Sequence, residues 1–114
     1  MLGTQEAERA WAAGLFEGAG YIGCYPHKTE NWWCRRLQID MTDEDIVRRF
    51  HGIAGCGTVY HKSKSGNAKD QWRWIVGDWA GITATLEWLI PYLGERRREA
   101  ADFLLSHPPR RYTK

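Results

Sequence analysis

Two segments of this sequence, 33–41 and 71–76, alternate between apolar side chains and long polar ones. A period of two with one polar face predicts half-buried strands of an antiparallel sheet. A solvent-exposed surface with no binding role typically carries a mixture of Lys and Glu. These polar side chains differ from that mixture, so we interpret their face as a binding surface. They donate and accept hydrogen bonds: Arg36, Gln38 and Asp40 in the first segment, Gln71 and Arg73 in the second.

The distribution of charge supports the same interpretation. The chain of 114 residues has a formal net charge of only +2. A basic excess within strands indicates a sheet that faces a polyanion, although basic strands also arise as simple edge protection. The segments 21–41 and 57–77 hold such an excess: Lys28, Arg35, Arg36, Lys62, Lys64, Lys69 and Arg73 against Glu30, Asp40 and Asp70.

Length and composition predict one globular domain over positions 1–114, with a basic tail at 107–114. An apolar content of 43% with 26% charged residues is ordinary for a folded domain. No apolar run approaches the roughly 20 residues of a membrane span. The odd set of three cysteines (Cys24, Cys34 and Cys56) contains no C-x-x-C pair. We interpret them as reduced thiols of a cytoplasmic protein with no membrane association.

The segment 11–20 combines a helical pattern with unusual glycines. Ala10, Gly14 and Gly18 form a stripe at spacing four, with no side chain larger than a methyl group. Since a glycine inside a helix costs roughly 1 kcal/mol against alanine, the stripe predicts close approach of another helix or backbone. A glycine-rich C-terminal cap on an ordinary core helix is the alternative. With either arrangement, the end of the helix places Glu17 beside the start of the next strand.

The order of predicted elements is helix, two strands, helix, two strands and two helices. It predicts an α+β fold with a four-stranded antiparallel sheet and helices on one face. A flexible basic loop is expected at 63–69. The elements are a helix from about Gln5 to Gly18, strands from Tyr21 to about Lys28 and from Trp33 to Met41, a helix capped by Thr42 and ending near Ala54, strands from Thr58 to about Lys62 and from Gln71 to Val76, a helix capped by Asp78 and ended by Pro91, and a helix Glu95–Leu105.

The segment from Ala12 to Gly20 resembles the nine-residue LAGLIDADG signature of homing endonucleases, especially the small phage and bacterial form that reads AGLFEGEG. Later segments resemble the family in the correct order: Ile39–Asp43 its strand-to-helix junction, Gly55–Val59 its glycine-rich strand start and Pro91–Arg96 its late P-[YFL]-L…K segment. The resemblance therefore covers nearly the whole chain. It implies a single LAGLIDADG-type αββαββα(α) domain whose saddle-shaped sheet lies over the DNA major groove.

The resemblance also implies the assembly and the nucleic-acid partner. Two motif helices pack together through small residues in this family, so one motif per chain implies a homodimer. The expected interface residues are Ala10, Ala13, Gly14 and Gly18. A two-fold dimer would read double-stranded DNA with a near-palindromic site of roughly 16 to 20 base pairs.

DNA contacts are expected along the polar strand positions. Arginines suit guanine, glutamines suit adenine, and Asp40 suits the amino group of cytosine. For any single residue, a solvated side chain remains the alternative. The expected base contacts are Tyr25, His27, Arg36, Gln38, Asp40, Tyr60, Lys62, Gln71 and Arg73, and the expected phosphate contacts are Lys28, Lys64, Lys69 and the arginines of the tail.

The family reaction is Mg²⁺-dependent hydrolysis of both DNA strands, with a motif-terminal carboxylate binding the metal. Ala19 stands at the position of that acid, which leaves the Gly18 carbonyl as a candidate ligand. Arg96 matches the peripheral lysine of the family, and Met41 stands where many members carry a water-positioning glutamine. Glu17 matches the first acid of the motif, which is more structural than catalytic. These positions predict DNA binding with weak or absent cleavage.

A non-cleaving nucleic-acid binder of another kind is the alternative function. It would be a DNA-occupying repressor or an RNA-binding splicing cofactor. Ala19 and Met41 together favour it, and the sequence offers Trp32 and Trp33 as exposed candidates for stacking on bases.

Overall fold

The computed structural model describes residues 3–62 and 70–110. Its elements confirm the predicted α+β order, with four helices and four antiparallel strands. The predicted loop at 63–69 lies outside the described residues. The elements are α1 (Thr4–Ala19), β1 (Gly20–Pro26), β2 (Trp33–Met41), α2 (Glu44–Ala54), β3 (Thr58–Lys62), β4 (Gln71–Val76), α3 (Trp79–Leu89), a 3₁₀ turn (Ile90–Tyr92) and α4 (Glu95–Leu105).

The sheet has the strand order β1-β2-β4-β3, so its two middle strands come from different halves of the chain. Directly opposite residues of antiparallel strands project from the same face of the sheet. Asp40 of β2 lies opposite Arg73 of β4, and Arg73 lies opposite Tyr60 of β3. The fold thereby places three side chains from distant sequence positions in one transverse row.

The core lies between the apolar face of the sheet and the helices. Phe50 of α2 is at its centre, with ring centroids 4.7 Å from Trp74 and 6.2 Å from Phe16. All three side chains are fully buried. The one polar atom of the Trp74 indole is satisfied, because Nε1 donates a hydrogen bond to the Cys56 carbonyl at 2.9 Å. The central strand β4 is thus tied to α1 and α2.

Two predicted boundaries were wrong. The helix α2 begins at Glu44 after Asp43, so Thr42 is not its N-cap. The strand β1 ends at Pro26 instead of Lys28. Proline has no N–H group with which to continue a strand ladder, and His27 then organises a turn.

The glycines at the end of α2 behave as predicted. Gly55 caps the helix in the left-handed conformation, with φ of 74°. Gly57 also has positive φ, 86°, and a Cβ there would lie 2.7 Å from Nε1 of Trp74. Both positions therefore favour glycine, and Gly57 also permits the close approach of the buried indole. None of the helices within 3–62 and 70–110 is long and apolar enough to cross a membrane.

Candidate nucleic-acid interface

The face of the sheet opposite the core is predominantly polar. The register of the four strands places eight of the nine expected base-contacting residues on it. The expected phosphate contacts Lys64 and Lys69, with tail residues 111–114, lie outside the described part of the chain. The eight on this face are Tyr25, Arg36, Gln38, Asp40, Tyr60, Lys62, Gln71 and Arg73.

Asp40 is the centre of a hydrogen-bonded network on this face. Arg73 donates from Nε to Oδ1 of Asp40 at 2.6 Å and from its terminal nitrogen to Oδ2 at 2.8 Å. Its other terminal nitrogen donates to the Tyr60 hydroxyl at 3.2 Å, and Nζ of Lys62 lies 3.8 Å from Oδ2. The hydrogen bond from Arg73 lowers the pKa of the Asp40 carboxyl, against the opposing effect of burial. Asp40 is therefore an ionised partner of Arg73, which argues against its predicted role as a reader of cytosine.

A second cluster on the same face surrounds Arg36. Its guanidinium carbon lies 5.7 Å from the ring centroids of both Tyr21 and Tyr25. Gly23 lies opposite Arg36, and a Cβ at Gly23 would lie 2.7 Å from Cε2 of Tyr21. The absence of a side chain at Gly23 thus lets the Tyr21 ring lie against the sheet beside Arg36. Sequence reasoning missed Tyr21, although it lies four residues before Tyr25 in the same strand alternation.

Two buried polar atoms on this face have no hydrogen-bond partner within the described chain. They are Nε of Arg36, a donor, and Oε1 of Gln38, an acceptor. An unsatisfied buried polar group costs about 1–3 kcal/mol, so such groups are uncommon in a surface that stays unoccupied. Since Arg36 and Gln38 are two residues apart in β2, they form a donor and an acceptor on one face.

The structure places His27 in the β1–β2 turn, away from the polar strand positions. Its Nδ1 accepts hydrogen bonds from the backbone N–H groups of Thr29 and Glu30, at 3.2 and 3.0 Å. Its ring stacks on Trp32 at 4.5 Å. The predicted base contact by His27 is therefore not favoured, because this side chain organises the turn. Lys28 is exposed in the same turn.

The two tryptophans that were predicted to be exposed differ in environment. Trp32 is 51% exposed and remains available for stacking. Trp33 is half-buried and packs against His107, with ring centroids 4.2 Å apart, and against Phe103. The prediction was wrong for Trp33, because the segment after α4 folds back over it.

The glycine stripe of α1 lies at the surface of the single chain. Gly14 and Gly18 are exposed, and a Cβ at either position would meet no described atom within 4 Å. Ala10 is half-buried beside them. Ala13 is only 1% exposed and belongs to the core, which argues against its predicted place in a subunit interface. Nothing within the described chain requires glycine at positions 14 and 18.

The end of α1 is fastened to the start of α4. Oε1 of Glu17 accepts a hydrogen bond from the Gly94 N–H at 2.6 Å. Arg97 donates from Nε to the Glu17 carbonyl at 2.8 Å, and the same nitrogen lies 3.3 Å from Oε2. These contacts give Glu17 a structural role. Sequence reasoning singled out Arg96, which is exposed, and missed Arg97. Helical spacing was the available signal, because Arg97 lies four residues before the buried Ala101.

The residues at the motif end do not fit Mg²⁺, which requires hard oxygen ligands. Ala19 supplies a methyl group that packs against the core. Both carboxylate oxygens of Glu17 face Gly94 or Arg97. Met41, at the glutamine position of the resemblance, also packs against the core. Within the described residues, no group of three or more His, Cys, Asp or Glu side chains could hold a metal ion.

Comparison with solved structures identifies the fold. The homing endonuclease I-CvuI in complex with its target in the presence of calcium is 26% identical, with a TM-score of 0.74 over 90% of this chain. I-CvuI with the I-CreI target in the presence of magnesium, revealing DNA not cleaved, is 27% identical with a TM-score of 0.75. The chain spans 66% of the length of the I-CvuI chain. The LAGLIDADG meganuclease I-AabMI bound to uncleaved DNA is 15% identical, with a TM-score of 0.70.

The chain therefore has the fold of the LAGLIDADG homing endonucleases, which confirms the resemblance seen in its sequence. No protein-family model and no curated protein matches it.

Proposed function

We propose that this chain binds double-stranded DNA sequence-specifically as a homodimer of the LAGLIDADG homing-endonuclease type, and that it cleaves DNA poorly or not at all. The observation that carries the proposal is the polar sheet face in this fold. That face presents a fixed arginine–aspartate network, an arginine–tyrosine cluster and two buried polar atoms without partners. The described neighbours with the same fold were solved on DNA.

Dimer formation is supported by the exposed stripe of Gly14 and Gly18. Each glycine costs roughly 1 kcal/mol of helix stability, and no close contact within the described chain offsets that cost. A second α1 helix that packs against the stripe would offset it. A two-fold dimer would read a near-palindromic site of roughly 16 to 20 base pairs.

Impaired cleavage is supported by the chemistry at the motif end. Ala19 offers no oxygen, and Glu17 is held by Gly94 and Arg97. In a symmetric dimer both motif ends carry the same methyl group, so the partner does not supply the missing acid. The residues of this chain accordingly bind and orient DNA without a carboxylate for the family's metal.

Selection of bound duplexes from a random library tests DNA recognition. The expected result is a near-palindromic consensus, with affinity that falls steeply as salt increases. Solution scattering should show two subunits on each duplex. A chain that stays monomeric and binds duplex DNA without sequence preference would overturn the proposal.

Restoring the acid tests the assignment of the motif end. We expect Ala19→Glu to cleave a plasmid that carries the selected site when Mg²⁺ is present, and the unmodified chain to leave it intact. The matched control is Ala19→Gln, which has the same length without the charge. Equal cleavage by the unmodified chain and Ala19→Glu would show that the metal assignment is wrong.

A non-cleaving binder of single-stranded RNA is the second candidate function. It is favoured by the exposed Trp32, whose ring is held by stacking on His27 and could support an unpaired base. A competition gel between single-stranded RNA and the selected duplex separates the two candidates. Preference for RNA would favour the splicing-cofactor function.

A further inference from the structure

Arg73 is held in place by its neighbours in the polar network of the sheet. Arg73 has five N–H groups, and three of them are accounted for by the two oxygens of Asp40 and the hydroxyl of Tyr60. Its side chain is only 16% exposed. A free arginine loses rotamer entropy when it is fixed. Because Asp40 already fixes this guanidinium, most of that cost is met before a ligand arrives.

Asp40 also determines the orientation of the Gln38 amide. A carboxylate oxygen can only accept a hydrogen bond, so the amide nitrogen must face Asp40. Nε2 of Gln38 lies 3.3 Å from Oδ2 of Asp40. The carbonyl oxygen, Oε1, consequently points away from Asp40 and is left buried without a partner in the described chain. The side chain of Gln38 is thereby left with an unsatisfied acceptor on the polar face of the sheet.

Asp40 also lowers the positive charge at the centre of this face. Its carboxylate lies against Arg73 and within 3.8 Å of the Lys62 ammonium, so it offsets part of the positive charge at the centre of the face. Attraction to phosphates is independent of base sequence, and each neutralised phosphate adds to the salt dependence of binding. A negative charge at this position therefore weakens non-specific binding while it orients the neighbouring side chains.

From these contacts we infer that Asp40 is a positioning residue for DNA specificity: it orients Arg73 to read guanine and sets Gln38 to accept from an exocyclic amino group. In the major groove, guanine offers the two acceptors O6 and N7 to arginine. Only adenine and cytosine offer amino donors there, so Gln38 selects these two bases against guanine and thymine. The inference rests on the proposed DNA-binding function.

The test measures discrimination, the ratio of dissociation constants for the selected duplex and for duplexes changed at one base pair. Asp40→Asn, Arg73→Ala and the double variant are compared with the unmodified chain. We expect Asp40→Asn to reduce discrimination about 5- to 100-fold at the base pair that Arg73→Ala identifies. We also expect tighter binding to random duplex, with a salt slope steeper by about one. In the Arg73→Ala background, Asp40→Asn should cause no further loss at that base pair.

The matched control is Asp102→Asn, which removes one negative charge from an exposed position on α4. It should leave discrimination unchanged. If Asp40→Asn behaves like this control, or if its loss persists in full when Arg73 is already alanine, the positioning role is wrong. In the second case Asp40 contacts the base directly. If the unmodified chain shows no sequence preference on duplex DNA, the proposed function itself fails.

Arg73→Lys keeps the inference testable if Asp40→Asn does not fold. Lysine keeps the positive charge but cannot make the paired hydrogen bonds of a guanidinium. We expect the same loss of discrimination at the same base pair, with the salt slope unchanged. Full discrimination by the lysine variant would overturn the positioning role.

Discussion

The glycine stripe on α1 permits a prediction in which subunit folding and dimer formation change in opposite directions. The change is Gly14→Ala. A methyl group at Gly14 meets no described atom within 4 Å, and this glycine does not have positive φ. The isolated subunit should therefore gain about 1 kcal/mol of unfolding free energy from the higher helix propensity of alanine. For a domain of this size that gain corresponds to an increase in Tm of about 4 °C.

The dimer should respond in the opposite direction. If two α1 helices approach through Gly14, an added methyl group overpacks the contact at a cost of about 1–3 kcal/mol. That cost corresponds to a dimer dissociation constant that is about 5- to 150-fold higher. Sedimentation equilibrium over a dilution series measures this constant, and thermal unfolding at concentrations where the chain is monomeric measures the stability of the subunit.

Gly52→Ala is the matched control for this experiment. Gly52 is also exposed inside a helix, α2, and a Cβ there likewise meets no described atom within 4 Å. Gly52→Ala should stabilise the subunit by a similar amount, about 1 kcal/mol, and leave the dissociation constant of the dimer unchanged. If Gly14→Ala and Gly52→Ala have the same effect on dimerisation, the glycine stripe is not the subunit contact.

Three further predictions concern the stability of the chain. Arg97→Met removes the hydrogen bond to the Glu17 carbonyl and should lower the unfolding free energy in urea by about 1–3 kcal/mol, whereas Arg96→Met, at an exposed position, should change it little. Hydrogen bonding to Arg73 lowers the pKa of Asp40 in the folded state. The ionised pair therefore stabilises the folded chain at pH values above the unfolded pKa of about 3.9, and this stabilisation is lost as pH falls through the folded-state pKa. Asp40→Asn should therefore flatten the acid limb of stability plotted against pH, and an unchanged limb would contradict the pairing. Gly55→Ala should lower the unfolding free energy by roughly 1–2 kcal/mol, because only the backbone conformation opposes the change. Gly57→Ala should lower it by more, because a methyl group there would also contact the Trp74 indole.

Local patterns were sufficient to predict most of the fold. The alternation in β2 predicted its bounds and its two faces, because side chains in a strand alternate between faces whatever the neighbouring strand is. The glycines at 55 and 57 marked the end of α2, since few other residues adopt their backbone conformation. The predictions failed where a short polar side chain competed for a local role, as at Thr42, and where the chain left the strand early, after Pro26.

The candidate site was only partly predictable, because its pairings join residues that are distant in sequence. Alternation placed Asp40 and Arg73 on polar faces, but the pairing of β2 with β4, and the register between them, brings the two side chains together. The same holds for Glu17 and Arg97, which a helix contact joins across 80 positions.

By itself, the sequence determined the order and type of the elements, the apolar and polar faces of the strands, and the methyl group at position 19. These properties depend on residues within a few positions of one another. Tertiary structure decided that Asp40 holds Arg73, that His27 closes a turn, that Ala13 is buried while Gly14 is exposed, and that Trp32 but not Trp33 remains open to solvent. These outcomes depend on which elements pack together, and a local pattern carries no information about its distant neighbours.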